Sequence, residues 1–101
     1  MGSVPLIANT PMPEIFSFAG YSIYFTALDR DHGVHVHIAQ GSRHDLARFV
    51  LNSDGTVSLA HNKGGIPAKS IRRLQFFLTA NYEDVLAAWR LFFGPDCHFD
   101  R

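Results

Sequence analysis

Five stretches in the first sixty residues follow a period of two, the repeat of a half-buried strand. Glu14 to Phe18 sets Phe16 and Phe18 against Ile15 and Ser17. Tyr21 to Leu28 is rich in β-formers, with Tyr21, Ile23, Phe25 and Ala27 on one side. Val34 to Ala39 puts Val34, Val36 and Ile38 on one face and His35 and His37 on the other. Arg43 to Leu51 alternates through Ala47, Phe49 and Leu51, and Thr56 to Ala60 makes a short fifth strand. The links at Gly20, Gly41-Ser42 and Asn52-Ser53-Asp54-Gly55 are short and carry turn-forming residues. Short links between successive strands predict a mostly antiparallel meander.

The period changes after Gly64-Gly65. Pro67 suits the first turn of a helix, where its missing N–H has no partner to lose. Ile71, Leu74 and Leu78 then form an apolar stripe that Phe76 and Phe77 widen, while Lys69, Arg72 and Arg73 share the opposite side. Asn81 reads as the N-cap of a second helix, with Glu83 and Asp84 facing the positive end of its dipole. Val85, Trp89 and Phe92 continue that helix to Gly94 and Pro95, which end it. The expected fold is α+β: a meander of four to five strands, followed by two C-terminal helices packed on one face. Residues 12–94 form one domain in this reading, with a flexible extension at 1–11 and a tail at 95–101.

A chain of 101 residues with nine Phe, three Tyr and one Trp can bury one core without disulfides. The single cysteine, Cys97, excludes an intrachain disulfide, and a reducing cytoplasm is the natural expectation. No apolar run approaches the ~20 residues that span a bilayer, and the N-terminus lacks a signal-peptide pattern. Nine basic and nine acidic residues give zero formal charge, so the chain has no general field for nucleic acid. The charges are nonetheless uneven. Six basic residues lie between Arg43 and Arg73 against two acidic ones, Asp45 and Asp54.

The chemistry points first to His35 and His37. Strand neighbours two apart share a face, and the apolar face formed by Val34, Val36 and Ile38 needs the core, so the pair is expected on the more open side. Two imidazoles there can hold a divalent transition metal if further ligands converge. His32 is the nearest candidate in the chain, and Asp29, Asp31, His61, Cys97 and His98 are the others. Held apart, the same two imidazoles can take and give a proton on either side of a phosphodiester, because histidine titrates near neutrality. Asp29 or Asp31 would then orient an imidazole, and Arg30, Lys63 or Arg43 would offset the developing charge. An ordinary half-exposed surface pair is the plain alternative. His61-Asn62-Lys63-Gly64-Gly65 is a second candidate, since glycine-rich backbone between strand and helix can present N–H groups to an anion. A simple strand-to-helix connector is the plainer reading of it. Trp89 and the phenylalanines follow helical spacing and read as core.

Met12-Pro13-Glu14-Ile15, Asp29-Arg30-Asp31 leading to His35-Val36-His37-Ile38, Leu46-Ala47-Arg48-Phe49, Ala60-His61-Asn62-Lys63-Gly64, and Asn81 through Trp89 to Phe93-Gly94 occur in an order that resembles a bacterial family, domain of unknown function 4160. Members often carry Pro-Pro before the His-x-His, where this chain has Gly33-Val34. The resemblance implies one half of a two-gene cassette. Its neighbour resembles a second family, domain of unknown function 2442, in an arrangement like that of a toxin and its antitoxin. Three readings follow: a toxin-like protein acting on RNA or another phosphate-bearing target through the histidine strand, a non-enzymatic module that binds protein or nucleic acid, or a metal-binding domain. A homo-oligomer is compatible with each.

Overall fold

A computed structural model of the chain describes residues 14–25, 33–95 and Phe99. The N-terminal extension, Asp29, Arg30, Asp31, His32, Cys97 and His98 lie outside the described residues. Five strands, β1 (Glu14–Phe18), β2 (Tyr21–Tyr24), β3 (His35–Gln40), β4 (Arg43–Leu51) and β5 (Val57–His61), precede two helices, α1 (Ala68–Ala80) and α2 (Tyr82–Phe93). The strands pair in chain order, each antiparallel to the next. This is the α+β meander with C-terminal helices that the hydrophobic pattern predicts. No described helix is long and apolar enough to cross a membrane.

Register decides which face each residue joins. Phe16 opposes Ile23, Ile23 opposes Ile38 and Ile38 opposes Ala47, while Val36 opposes Phe49. These residues share one face, and all but Phe16 are fully buried. Helix α1 covers that face. Phe77 stacks on Phe18 at 4.4 Å and meets the edge of Phe16 at 5.7 Å, and Gln75 Nε2 donates to the Val57 carbonyl. Leu74 and Leu78 of α1 and Val85, Leu86 and Trp89 of α2 complete the same core. Each fully buried large apolar side chain contributes about 1.5–3 kcal/mol, so the two helices and the sheet depend on one another.

The helices differ from expectation in three details. Phe76 does not widen the buried stripe; it is 76% exposed. At 100° per residue it lies about 200° round the helix from Leu74, and only Phe77 turns toward the sheet. Asn81 holds the N-cap position of the second helix, as expected, but makes no cap bond to it through its side chain. Its Nδ2 donates back to the Phe77 carbonyl and closes α1, while its carbonyl accepts Val85 N–H and opens α2. Pro67 stands one residue before the first turn of α1, where its carbonyl accepts from Ile71 N–H.

Candidate functional site

On the other face of the sheet the register sets Tyr24 opposite His37, His37 opposite Arg48 and Arg48 opposite His61. Four polar side chains from four strands therefore stand in a row across the sheet. Simple alternation does not predict the last of them. Val57, Leu59 and His61 have the same parity in β5, and Leu51 opposes Val57 in the core. The register between β4 and β5 shifts between Arg48 and Phe49, where one step on β4 spans two on β5. This bulge at Ala60 moves His61 onto the face of His37, as bulges re-aim side chains.

A second bulge supplies the carboxylate. Ile38 opposes Ala47 and Gln40 opposes Arg43, so three residues of β4 face Ala39 alone. Asp45 has the parity of Ala47 and Phe49 and would fall on the core face of a regular strand. Instead its φ is +54°, a conformation Asp tolerates better than most residues, and Leu46 takes the core position. The Tyr24 hydroxyl accepts the Asp45 backbone N–H at 3.0 Å and pins the bulge from β2.

Asp45 thus sits between two imidazoles. His37 Nδ1 donates to Asp45 Oδ1 at 3.0 Å. His61 Nε2 approaches the same oxygen at 3.5 Å, a looser ionic contact that falls outside hydrogen-bond geometry. The tautomer of His61 follows from its other nitrogen. Nδ1 accepts the Lys63 backbone N–H at 3.3 Å, which leaves the proton of the neutral ring on Nε2, aimed at Asp45. Tyr24 stacks on His37 at 5.2 Å, and His35 meets the His37 ring edge-on at 5.0 Å.

The electrostatics of the trio are mutual. Burial raises the Asp45 carboxyl, but the hydrogen bond from His37 and the charges of His37, His61 and Lys63 outweigh it and hold the group below the usual carboxylate range. Asp45 is therefore ionised at neutral pH. Burial is the main reason His61 is lowered from the ordinary histidine value. Asp45 pulls it upward, while Lys63, Arg48 and His37 oppose a further positive charge. Asp45 keeps 42% of its side chain in solvent against 12% for His37 and 17% for His61, so the carboxylate is the open mouth of the site.

The two segments singled out in the sequence lie side by side, through His37 and His61. His61-Asn62-Lys63-Gly64-Gly65 is folded against the bulge that carries Asp45. Gly64 N–H donates to the Leu46 carbonyl at 2.7 Å, and the Gly64 carbonyl accepts from Arg43 Nη2 at 3.2 Å. A Cβ on Gly64 would lie 2.3 Å from Leu46 Cδ2 and 2.7 Å from Leu46 Cα, so only glycine fits without displacement. Asn62 closes the loop from within, donating Nδ2 to the Ile66 carbonyl and accepting Ile66 N–H on Oδ1.

His35 differs from expectation. It is buried, at 3% exposure, with Nδ1 donating to the Gly33 carbonyl at 2.8 Å and its ring 6.0 Å from Trp89 of α2. His37 is half-buried, Lys63 lies at the rim and Arg43 ties down the Gly64 loop. Pattern reading missed Asp45, Tyr24, Arg48 and the inward turn of His61. The available signal was local. Between Arg43 and Phe49 the polar Asp45 takes a core-facing slot and the apolar Leu46 an outward one, and that broken alternation marks a bulge.

Among the described residues no group of three His, Cys, Asp or Glu is arranged to hold a metal ion.

No curated protein and no solved structure matches the chain. Residues 20–90 match the family model of domain of unknown function 4160. That span runs from the turn before Tyr24 to the residue after Trp89 and takes in His35, His37, Asp45, Arg48, His61 and Lys63, so the chain belongs to this family.

Proposed function

We propose that the protein is a toxin-like component of a bacterial toxin–antitoxin cassette and acts on RNA at the His37–Asp45–His61 site. The observation that carries the chemical part is the ionised carboxylate held between two imidazoles at an open mouth, with Lys63 at the rim and Arg48 between the rings. The cassette itself, and a small cognate antitoxin-like partner resembling domain of unknown function 2442, rest on the family resemblance.

The chemistry is acid–base catalysis. Asp45 accepts a hydrogen bond from His37 Nδ1–H, fixes that tautomer and stabilises the imidazolium formed when Nε2 takes a proton from an attacking hydroxyl. In RNA the 2′-hydroxyl beside each phosphodiester is such a nucleophile. Its oxygen forms a bond to phosphorus as the bond to the 5′-oxygen breaks, and the leaving 5′-oxygen takes a proton from water at the open mouth of the site. The Lys63 ammonium at the rim donates to the phosphoryl oxygens where negative charge develops, while His61, with Nε2 buried, flanks Asp45 on its other side. His35, buried and bonded to Gly33, positions the His37 ring from its edge.

Two measurements test this reading: growth after induced expression, and cleavage of total bacterial RNA by the purified protein. Native protein is expected to arrest growth and leave 2′,3′-cyclic phosphate ends. His37→Ala and Asp45→Asn, shown folded by circular dichroism, should each lose about 10²–10⁴-fold in cleavage. Native protein that neither arrests growth nor cleaves RNA, or variants as active as the native chain, would overturn it.

A non-enzymatic binding role draws support from a different place. Lys69, Arg72 and Arg73 are exposed on α1, across the sheet from the histidines. They cannot serve the His37 site and need another purpose.

A further inference from the structure

The exposed side of α1 is unusual for a chain of zero formal charge. The helix carries Lys69, Arg72 and Arg73 within two turns and no acidic residue. Among the described residues no carboxylate pairs with any of the three. Phe76 follows them on the same side and is 76% exposed, against 39% for Phe92 of α2. It stands between two shallow clefts that share Arg72. One is walled by Phe18, Ala19, Lys69 and Arg73; the other opens toward Gln75 and Val57.

An exposed aromatic ring beside concave apolar walls and a cationic rim is the anatomy of a binding surface. The rim sets the sign of the ligand. Three cations with no carboxylate partner among the described residues, on a chain of zero formal charge, favour carboxylates or phosphates. The walls decide between them. The Phe18 ring is already stacked on Phe77 at 4.4 Å, so it lines a cleft rather than offering a face to bases. A cleft of that kind takes an inserted apolar side chain, whereas single-stranded nucleic acid needs open stacking platforms and a longer cationic track.

We propose that this face of α1 docks an acidic segment of a partner protein, in which one Leu, Phe or Trp enters the cleft beside Phe76 while flanking carboxylates pair with Lys69, Arg72 and Arg73. The surface lies on the opposite side of the sheet from His37. It does not depend on what that site does, and a bound segment leaves Asp45 uncovered.

The test uses the full chain. A display library of random dodecapeptides is selected on the immobilised native protein, and enriched peptides are measured by fluorescence anisotropy. Enriched peptides should carry at least two carboxylates and one large apolar residue. Their affinity should fall about tenfold or more in Arg72→Glu/Arg73→Glu and in Phe76→Ala, as expected of anchors at the centre of an interface, and should weaken with added salt. His37→Ala should bind as the native chain does. The proposal fails if no peptide is enriched, if the enriched ones lack acids, or if either α1 variant binds them unchanged. A dodecamer of single-stranded RNA that binds more tightly than the best peptide would reassign the face to nucleic acid. Concentration-dependent dimers lost in Phe76→Ala would reassign it to a second copy of the chain. Both outcomes also overturn the proposal.

Discussion

At Asp45 the backbone passes through φ +54° within a strand, and the hydroxyl of Tyr24 and the imidazole of His37 hold it there. Left-handed backbone costs a non-glycine residue roughly 1–2 kcal/mol, and such outliers cluster where a side chain must be placed for use. The charges around Asp45 make a measurable signature. His61 titrates below its ordinary value of 6.5 in the native state, so the unfolded chain binds more protons in the window just beneath that value. The stability from keeping His61 neutral is fully present above pH 6.5 and is lost as pH falls through its native value. Asp45, lowered from 3.8, has the same sign in a more acid window: its contribution is present above pH 3.8 and lost as pH falls through the native value. Urea midpoints taken from about pH 8 to about pH 5 should therefore fall for the native protein and fall less for His61→Ala. Equal slopes would show that His61 is not lowered, and an imidazole titration followed by NMR would locate the group responsible.

The elements that meet here are two strands with bulges and one loop. β4 bulges at His44–Leu46 and β5 at Ala60, and the loop after β5 is locked to the β4 bulge through Gly64 N–H and the Leu46 carbonyl. Gly64→Ala tests this joint. The added methyl would meet Leu46 side chain and backbone at 2.3–2.7 Å, so loop and bulge must separate. The expected cost is about 1–3 kcal/mol in urea denaturation. The His37 and His61 ring signals should shift as well, because their contacts with Asp45 cross the joint. A neutral Gly64→Ala with unchanged histidine spectra would mean that the loop is not what holds His61 in place.

For the whole molecule, one hydrophobic layer joins helices to sheet, and Trp89 is the largest side chain fully buried in it. Its ring meets the edge of Phe25 at 5.0 Å and lies 4.4 Å from Phe93 and 6.0 Å from His35. Trp89→Ala should cost about 3–5 kcal/mol, a large share of the 5–15 kcal/mol that holds a typical domain together. Leu91→Ala on the same helix, at 90% exposure, should change the urea midpoint little. Comparable losses from the two would contradict the packing of α2. The two-faced sheet also separates roles. The histidine row and the basic side of α1 cannot act on one ligand, so variants of one should leave the other's readout intact.

The meander, the two helices and most of the core were legible in the chain, because burial imposes its own period. Ile23, Val36, Ile38, Phe49, Leu74, Leu78, Val85 and Trp89 recur at strand or helix spacing and are buried where that spacing puts them. His37 was legible for the same reason, as the polar residue between core Val36 and Ile38 on an alternating strand. Its neighbours were not. Asp45 and His61 reach His37 only because two bulges reverse the alternation of β4 and β5, and a bulge is a property of paired strands rather than of one strand's pattern. Tyr24 and Arg48 join through cross-strand register, which no single strand encodes. The buried state of His35 and the exposed state of Phe76 depend in turn on where α2 and α1 lie on the sheet. Sequence periodicity determined the layers and their faces; the pairing of β3 with β4 and of β4 with β5 brought three separate segments into one site.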